Sequence, residues 1–264
     1  MSTTPPAVRR AQILERIQRD GGVSVADLAR DLTVSSITVH RDLEQLSKDG
    51  LVERVHGGAR SLPAAGPAAA IPPTGWEQRA AVARGAKAAI AAHAAREVQS
   101  GSTIFLDSSS SCLALARQLV GESATNLTLV TNSPAIAYEL ADERMLVIVT
   151  PGELDQHMRL LAGRWTTDFL SGLNFELAFV SCAGVTLDAG LTTSRRALAD
   201  VINVASANAT RTVGLIDSNK FGRASLLTIA RAETLDAIVT DEGLDEATLQ
   251  NYRAAGVALE IAKS

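Results

Sequence analysis

A chain of 264 residues is long enough for one large or two ordinary domains with a sizeable core. With 46% hydrophobic residues and only 3% aromatic ones, that core is expected to be aliphatic. A formal charge of −4 excludes a polycation, two cysteines exclude a disulfide framework, and no apolar run reaches membrane-spanning length. No basic-then-apolar segment opens the chain, so a cytoplasmic location without a membrane partner is expected. The charge is unevenly spread: up to Leu62 there are 9 Lys+Arg against 8 Asp+Glu, and the remainder holds 16 against 21. A weakly basic head on an acidic body lets one end approach phosphates.

A first helix is expected after Pro5-Pro6, with Ile13, Leu14 and Ile17 as its apolar ridge and Arg9, Arg10, Arg16 and Arg19 around it. Gly21-Gly22 stop it. Ser24-Val25-Ala26-Asp27 is a capping-box pattern, and Val25, Leu28, Ala29 and Leu32 follow at helical spacing. Thr33-Val34-Ser35 then reads as a short turn, with Ser35 capping a third helix. Val39, Leu43 and Leu46 make the buried stripe of that helix, while Ile37, His40, Arg41 and Glu44 fall on another face. Lys48 suits its last turn and Gly50 its left-handed end. Leu51 to Val55 reads as a strand and His56-Gly57-Gly58-Ala59 as a hairpin turn, with Gly57-Gly58 supplying positive φ and Arg60 opening the return strand. Three short helices and a wing make a winged helix-turn-helix. The mixture of Ile37, His40 and Arg41 fits a major groove, where guanidinium pairs with guanine edges and apolar groups meet thymine methyls. The alternative is a solvated face with one stray Ile.

Residues 9–60 resemble the DNA-binding head of the DeoR family of bacterial transcriptional regulators. The resemblance is carried by Arg9, Ile13 and Ile17, by Ser35-x-x-Thr38-Val39-His40-Arg41-Asp42-Leu43, and by Arg54-Val55-His56-Gly57-Gly58-Ala59. It implies double-stranded operator DNA as a partner. The candidate contacts are Ser35, Ser36, Ile37, Thr38, His40 and Arg41 from the helix and its start, with Arg54, His56 and Arg60 from the wing. Arg is more usual in the family at the position of His40, so affinity or base choice is expected to differ here. His56 is either a turn residue that touches nothing or a phosphate contact. One head buries too little DNA for strong specificity, so a homo-oligomer is expected.

The segment SLPAAGPAAAIPPTG, from Ser61 to Gly75, holds half of the chain's eight prolines and reads as a semi-stiff linker. The expected division is a head over 1–62, a linker over 63–75 and a body over 76–264. The body should open with an Ala-rich helix over 77–98, with Arg79, Arg84 and Lys87 on a solvated face. Strand candidates follow at Thr103–Leu106, Leu127–Val130, Leu146–Val149, Leu177–Val180, Thr212–Ile216 and Ala237–Val239. Short apolar runs alternating with helical patterns argue an α/β domain with a mainly parallel sheet.

Polar loops follow these strands, where open α/β sheets bind ligands. They are Asp107-Ser108-Ser109-Ser110-Ser111, Thr131-Asn132-Ser133, Pro151-Gly152-Glu153, Ala183-Gly184 and Asp217-Ser218-Asn219-Lys220. Ser109 to Ser111 would open a helix, where free amides and the dipole favour an anion, and Lys220 could add a charge. An ordinary turn with a cap is the alternative. These loops resemble the sensor domain of the same family, which is similar in fold to sugar-phosphate isomerases. The resemblance implies a phosphorylated sugar or related effector on Asp107, Ser108, Ser109, Ser110, Ser111, Thr131, Asn132, Ser133, Gly152 and Lys220. Three departures, Ser109 for Gly, Pro151 for Gly and Ile202-Asn203 for a basic residue, imply a different or less charged effector.

The function expected is a carbohydrate-gene repressor without catalytic residues, cofactor or metal. No zinc-type Cys/His spacing, P-loop or dinucleotide glycine motif is present. The alternative is a sugar-phosphate isomerase or deaminase-like enzyme carrying a DNA-binding head. Its proton relay would have to use His93 or His157, the two histidines of the body, each more naturally a packing or solvated residue. Cys112 would stand at a helix start without an obvious histidine partner. A third reading is a DNA-binding or scaffolding protein with a vestigial sensor.

Overall fold

The computed structural model describes residues 5–20, 22–48, 51–55, 57–60, 79–80, 82–121, 125–140, 144–156 and 158–263. They fall into two compact units, one running to Arg60 and taking in 79–80 and Val82, the other beginning at Ala83.

In the first unit, α1 (Pro6–Asp20), β1 (Gly22–Ser24), α2 (Val25–Asp31), α3 (Ser36–Lys48), β2 (Glu53–Val55) and β3 (Gly58–Arg60) follow in order. The caps are as the residue types require. Ser24 Oγ accepts from the Asp27 amide at 3.1 Å, and Ser35 Oγ from the Thr38 amide at 3.2 Å. Ile13, Leu14, Ile17, Leu28, Val39, Leu43 and Leu46 meet in one core with Val52 and Ala59. Burying these aliphatic side chains drives the packing of the three helices, each contributing roughly 1.5–3 kcal/mol.

Three expectations for the head are corrected. Gly22–Ser24 does more than follow a helix stop: it is a third wing strand, giving the antiparallel order β1-β3-β2. The hairpin turn is shifted by one residue. Val55 pairs with Gly58, so Gly58 is already in the return strand, Gly57 before it is at φ 81°, and Arg60 is the last residue of β3. Gly58 is needed because β1 presses on it, and a Cβ there would lie 2.1 Å from the Val23 carbonyl oxygen. Finally, Arg9 is buried at 6% exposure instead of lining the helix surface. Its guanidinium donates to both carboxylate oxygens of Asp42, which is 3% exposed on α3. The expectations for Gly21, Gly50, His56, the linker and His157, and for the Lys48 side chain, lie outside the described residues.

The second unit is built on a seven-stranded sheet of β4 (Thr103–Leu106), β5 (Leu127–Thr131), β6 (Met145–Val149), β9 (Phe175–Val180), β12 (Ala209–Leu215), β14 (Ala237–Asp241) and β15 (Leu259–Ala262). Its order is β15-β14-β12-β9-β4-β5-β6, and every pairing is parallel. Ile104, Phe105 and Leu106 are consecutive and each fully buried, so both faces are covered. The helices are α4 (Arg84–Ala95), α5 (Ser110–Gly121), α6 (Pro134–Glu139), α7 (Arg164–Ser171), α8 (Arg196–Ala207) and α9 (Glu246–Ala254). The hairpin β7 (Glu153–Asp155)/β8 (Leu160–Ala162) and the antiparallel sheet of β10 (Gly184–Thr186), β11 (Gly190–Thr193) and β13 (Leu227–Ala230) have no counterpart among the predicted strands, nor does β15.

The Ala-rich segment is not one helix: residues 79–80 are helical, Ala83 takes a left-handed conformation at φ 53°, and α4 begins after it at Arg84 and ends at Ala95. Lys87 is buried at 5% exposure, contrary to a solvated face. No helix among the described residues is long and apolar enough to cross a membrane. From β4 the chain steps through β5 and β6 to one edge, then returns to the other side of β4 for β9 and continues outward. The strand order therefore reverses between β4 and β9, and in open α/β sheets ligands bind outside the carboxyl ends of the strands at such a reversal.

Candidate functional site

The head presents one polar-apolar face. Ile37 is 65% exposed, and His40 and Arg41 are exposed with it, while Val39, Leu43 and Leu46 are buried behind. Ser35 and Ser36 are exposed at the start of α3, and Thr38 is half-buried, its hydroxyl 2.8 Å from Ser35 Oγ. Arg54 reaches from β2 to His40, its Nη2 lying 3.1 Å from Nδ1. Arg60 is held within the wing, donating to both carboxylate oxygens of Glu53 at 3.0 and 2.9 Å. That bond holds the Glu53 carboxyl below its usual range. Neither Glu53 nor the inward-turned Asp42 was singled out from the sequence. Charged residues within a motif look alike whichever way they point.

In the body, β4, β9 and β12 bring four polar side chains to the point where the strand order reverses. Asp107 is 1% exposed; its Oδ1 accepts from the Ser109 amide and its Oδ2 from the Ser181 amide, each at 2.8 Å. Ser181 Oγ donates to the Leu215 carbonyl at 2.7 Å and accepts from Lys220 Nζ at 2.9 Å. Lys220 Nζ also lies 3.6 Å from Asp217 Oδ2. Burial alone would push the Asp217 carboxyl up, but Lys220 and the buried Lys87, with hydrogen bonds from Asn219, outweigh it and hold the group below its usual range.

Ser109 Oγ accepts from the Cys112 amide at 3.1 Å and so caps α5. Ser108, Ser110 and Ser111 are buried, and Ser111 Oγ has no hydrogen-bond partner among the described residues. Thr131, Asn132 and Ser133 are fully buried. Thr131 Oγ1 accepts from the Ser133 amide, Ser133 Oγ caps α6, and Asn132 Nδ2 donates to the Leu161 carbonyl. Asn132 Oδ1 and Thr150 Oγ1 are buried without partners among the described residues. Gly152 is packed shut: a Cβ there would lie 2.1 Å from Thr166 Oγ1 and 2.8 Å from the Ala162 carbonyl.

The three departures resolve locally. Ser109 is the cap just described, Pro151 accepts from Thr166 Oγ1 at 2.7 Å, and Ile202 is a core residue of α8 while Asn203 is exposed. The sequence reading missed Ser181 and Lys87. A serine directly after the apolar run Phe175–Val180 was a usable signal, whereas nothing local distinguishes a buried lysine in an Ala-rich helix.

Both thiols are inert by position. Cys112 is fully buried and donates from Sγ to the Phe179 carbonyl at 3.2 Å; burial, then Asp107, pushes its pKa well up. Burial also raises Cys182 to about 12, against the opposing influence of Lys220. His93 Nε2 lies 2.9 Å from Glu260 Oε2, in a packing contact of α4 with β15.

Residues 9–64 match the DeoR-like helix-turn-helix domain and residues 83–242 match the DeoR C terminal sensor domain. The HTH-type transcriptional regulator GlpR of Haloferax volcanii is 32% identical, over 96% of this chain and 97% of its own length. GolR of Listeria innocua is 31% identical over 98% and 99%. The glycerol-3-phosphate regulon repressor of Escherichia coli is 28% identical over 96% and 98%. Among solved structures, ribose 5 phosphate isomerase A from Neisseria gonorrhoeae aligns with a TM-score of 0.39 at 12% identity, over 51% of this chain and 52% of that one. That likeness is too loose to transfer a site or an activity.

Proposed function

The chain belongs to the DeoR family of transcriptional regulators, and from that premise we propose that it represses carbohydrate-metabolism genes and that a phosphorylated sugar or related metabolite sets its DNA affinity. The observation that carries this reading is the face of α3. An Ile37 that is 65% exposed, set beside His40 and Arg41, suits a groove of mixed methyl and acceptor edges better than it suits water.

The working parts are a head over 1–62, a tether over 63–75 and a sensor over 76–264. Ser35, Ser36, Ile37, Thr38, His40 and Arg41 meet the groove, while on the wing side Arg54 backs His40 and Arg60 is held by Glu53. In the sensor, the amides opening α5 and the hydroxyls of Ser108 to Ser111 receive the phosphate, and Lys220 supplies charge. Asp107, Thr131, Ser133 and Gly152 shape the loops, and Asn132 offers its unpartnered Oδ1 to a sugar hydroxyl. The protein acts as a homo-oligomer, because one head is too small to specify a site. In support, β6 is an edge strand among the described residues, with Leu146 and Val149 exposed on its two opposite faces, an edge that a second copy would cover.

A ligand shifts DNA affinity only if it binds the DNA-free and DNA-bound forms unequally, and by linkage DNA changes ligand affinity by the same factor. The test is to titrate a panel of sugar phosphates into the full chain, with and without duplex DNA from its own promoter region. The expected outcome is one compound whose affinity differs between the two titrations. Equal affinity for every compound defeats the switch, and turnover of any of them establishes the enzyme alternative. Sedimentation of Leu146→Lys and Val149→Lys as smaller species than wild type is expected for the oligomer, and an unchanged size moves its interface elsewhere.

A further inference from the structure

His40 on α3 and Arg54 on β2 are linked through Nδ1 and Nη2 at 3.1 Å. A guanidinium has donors only, so the imidazole nitrogen in this contact must accept. An imidazole that accepts through Nδ1 is uncharged and carries its proton on Nε2. The contact therefore selects one tautomer of the neutral ring. His40 itself is exposed, one helical turn from Ile37 and adjacent to Arg41.

We propose that His40 is a specificity-determining residue whose tautomer is set by Arg54, so that it presents one directed Nε2–H donor to an acceptor on a base edge. The proposal rests on the DNA-binding reading of the head and deepens it. A protonated imidazole would be a cation that any phosphate satisfies. A neutral ring held at Nδ1 has a single donor left, and the acceptors it can meet in the major groove are guanine O6 and N7, adenine N7 and thymine O4. Arg54 is correspondingly withdrawn from phosphate contact: Nη2 is engaged by His40, and Nη1 is buried with no partner among the described residues. Arg60 is likewise engaged, by Glu53. The two described wing arginines thus hold the head together, and base choice is left to α3.

Two measurements test this. The first is a long-range proton–nitrogen NMR spectrum of the full chain at pH about 8, where an ordinary imidazole is neutral, with His40→Gln used to assign the ring. Wild type is expected to show His40 protonated on Nε2 alone. Arg54→Met, which keeps length but removes the donors, is expected to give a tautomer mixture, and Arg54→Lys to restore the single form. An Nδ1-protonated His40 in wild type overturns the proposal, as does a ring indifferent to Arg54→Met.

The second is selection from a random-sequence duplex library. Arg54→Met is expected to relax preference at the same base position that His40→Gln relaxes, with little change in overall affinity. If Arg54→Met instead weakens all sequences alike and lowers the salt slope by about 1, Arg54 is a phosphate contact and the proposal fails. Failure of the underlying reading looks different, as wild type then enriches no sequence at all.

Discussion

Lys220 donates from Nζ to Ser181 Oγ across 2.9 Å, tying the loop after β12 to the strand end of β9. Ser181 donates its own O–H to the Leu215 carbonyl at 2.7 Å, so the hydroxyl has its acceptor side turned to the ammonium. Two loops 39 residues apart thus fix one cation at the reversal of strand order. Ser181→Ala is expected to weaken binding of the active sugar phosphate by about tenfold or more, as a hydrogen bond to a charged group contributes about 1.5–3 kcal/mol. Lys220→Ala should weaken it further. Calorimetric titration reads both, and undiminished affinity in Lys220→Ala removes the lysine from the site.

Arg60 is bound to Glu53 in the wing rather than free to meet phosphate. Glu53→Gln is expected to tighten binding to all DNA sequences alike and to steepen the salt dependence by about one unit of slope, because it removes an anion and releases the guanidinium. Binding isotherms at several salt concentrations check this. An unchanged slope would mean that the released Arg60 does not reach the backbone.

The Arg9–Asp42 pair joins α1 to α3 with both partners less than a tenth exposed. Removing Asp42 takes two charge-assisted hydrogen bonds from a buried guanidinium, so Asp42→Ala should destabilise the head by about 3–5 kcal/mol. Hydrogen-exchange protection of the Ile13 and Leu43 amides measures it. Protection equal to wild type would show that the pair contributes nothing to holding the helices together.

Asp217 is held below the usual carboxylate range once Lys220 and Lys87 have overcome its burial. A depressed carboxyl contributes stability above its unfolded value, about 3.9, and loses it as pH falls through the lower folded value. Asp217→Asn should therefore be less stable than wild type at pH 7, with the gap closing below pH about 4. Denaturant midpoints across that range test it, and a pH-independent gap would show that the carboxylate's charge is not the cause.

Neither thiol should react in the native protein. Cys182 is pushed up to about 12 and Cys112 well above its ordinary value by burial. A disulfide-exchange reagent at pH about 8 is expected to modify no cysteine until denaturant is added, and then both. Rapid labelling of either in the native chain would show that it is reached by solvent.

The sequence by itself determined the features that are written locally. The apolar spacing of Ile13, Leu14 and Ile17, the caps at Ser24 and Ser35, and the stripe of Val39, Leu43 and Leu46 specify the three helices of the head, because period and cap depend on residues within a turn or two. The six apolar runs likewise specify six of the seven strands of the main sheet. Tertiary structure decided what depends on partners far along the chain. Strand β1 exists because β3 arrives beside it, and Gly58 is required only by that approach. Arg9 leaves the surface because Asp42, 33 residues on, is buried where its guanidinium can reach. Ser181, Asp217, Lys220 and the buried Lys87 become one electrostatic group only when the strand order reverses between β4 and β9. A side chain's direction and its desolvation are set by what packs against it, and no local pattern of residues carries that information.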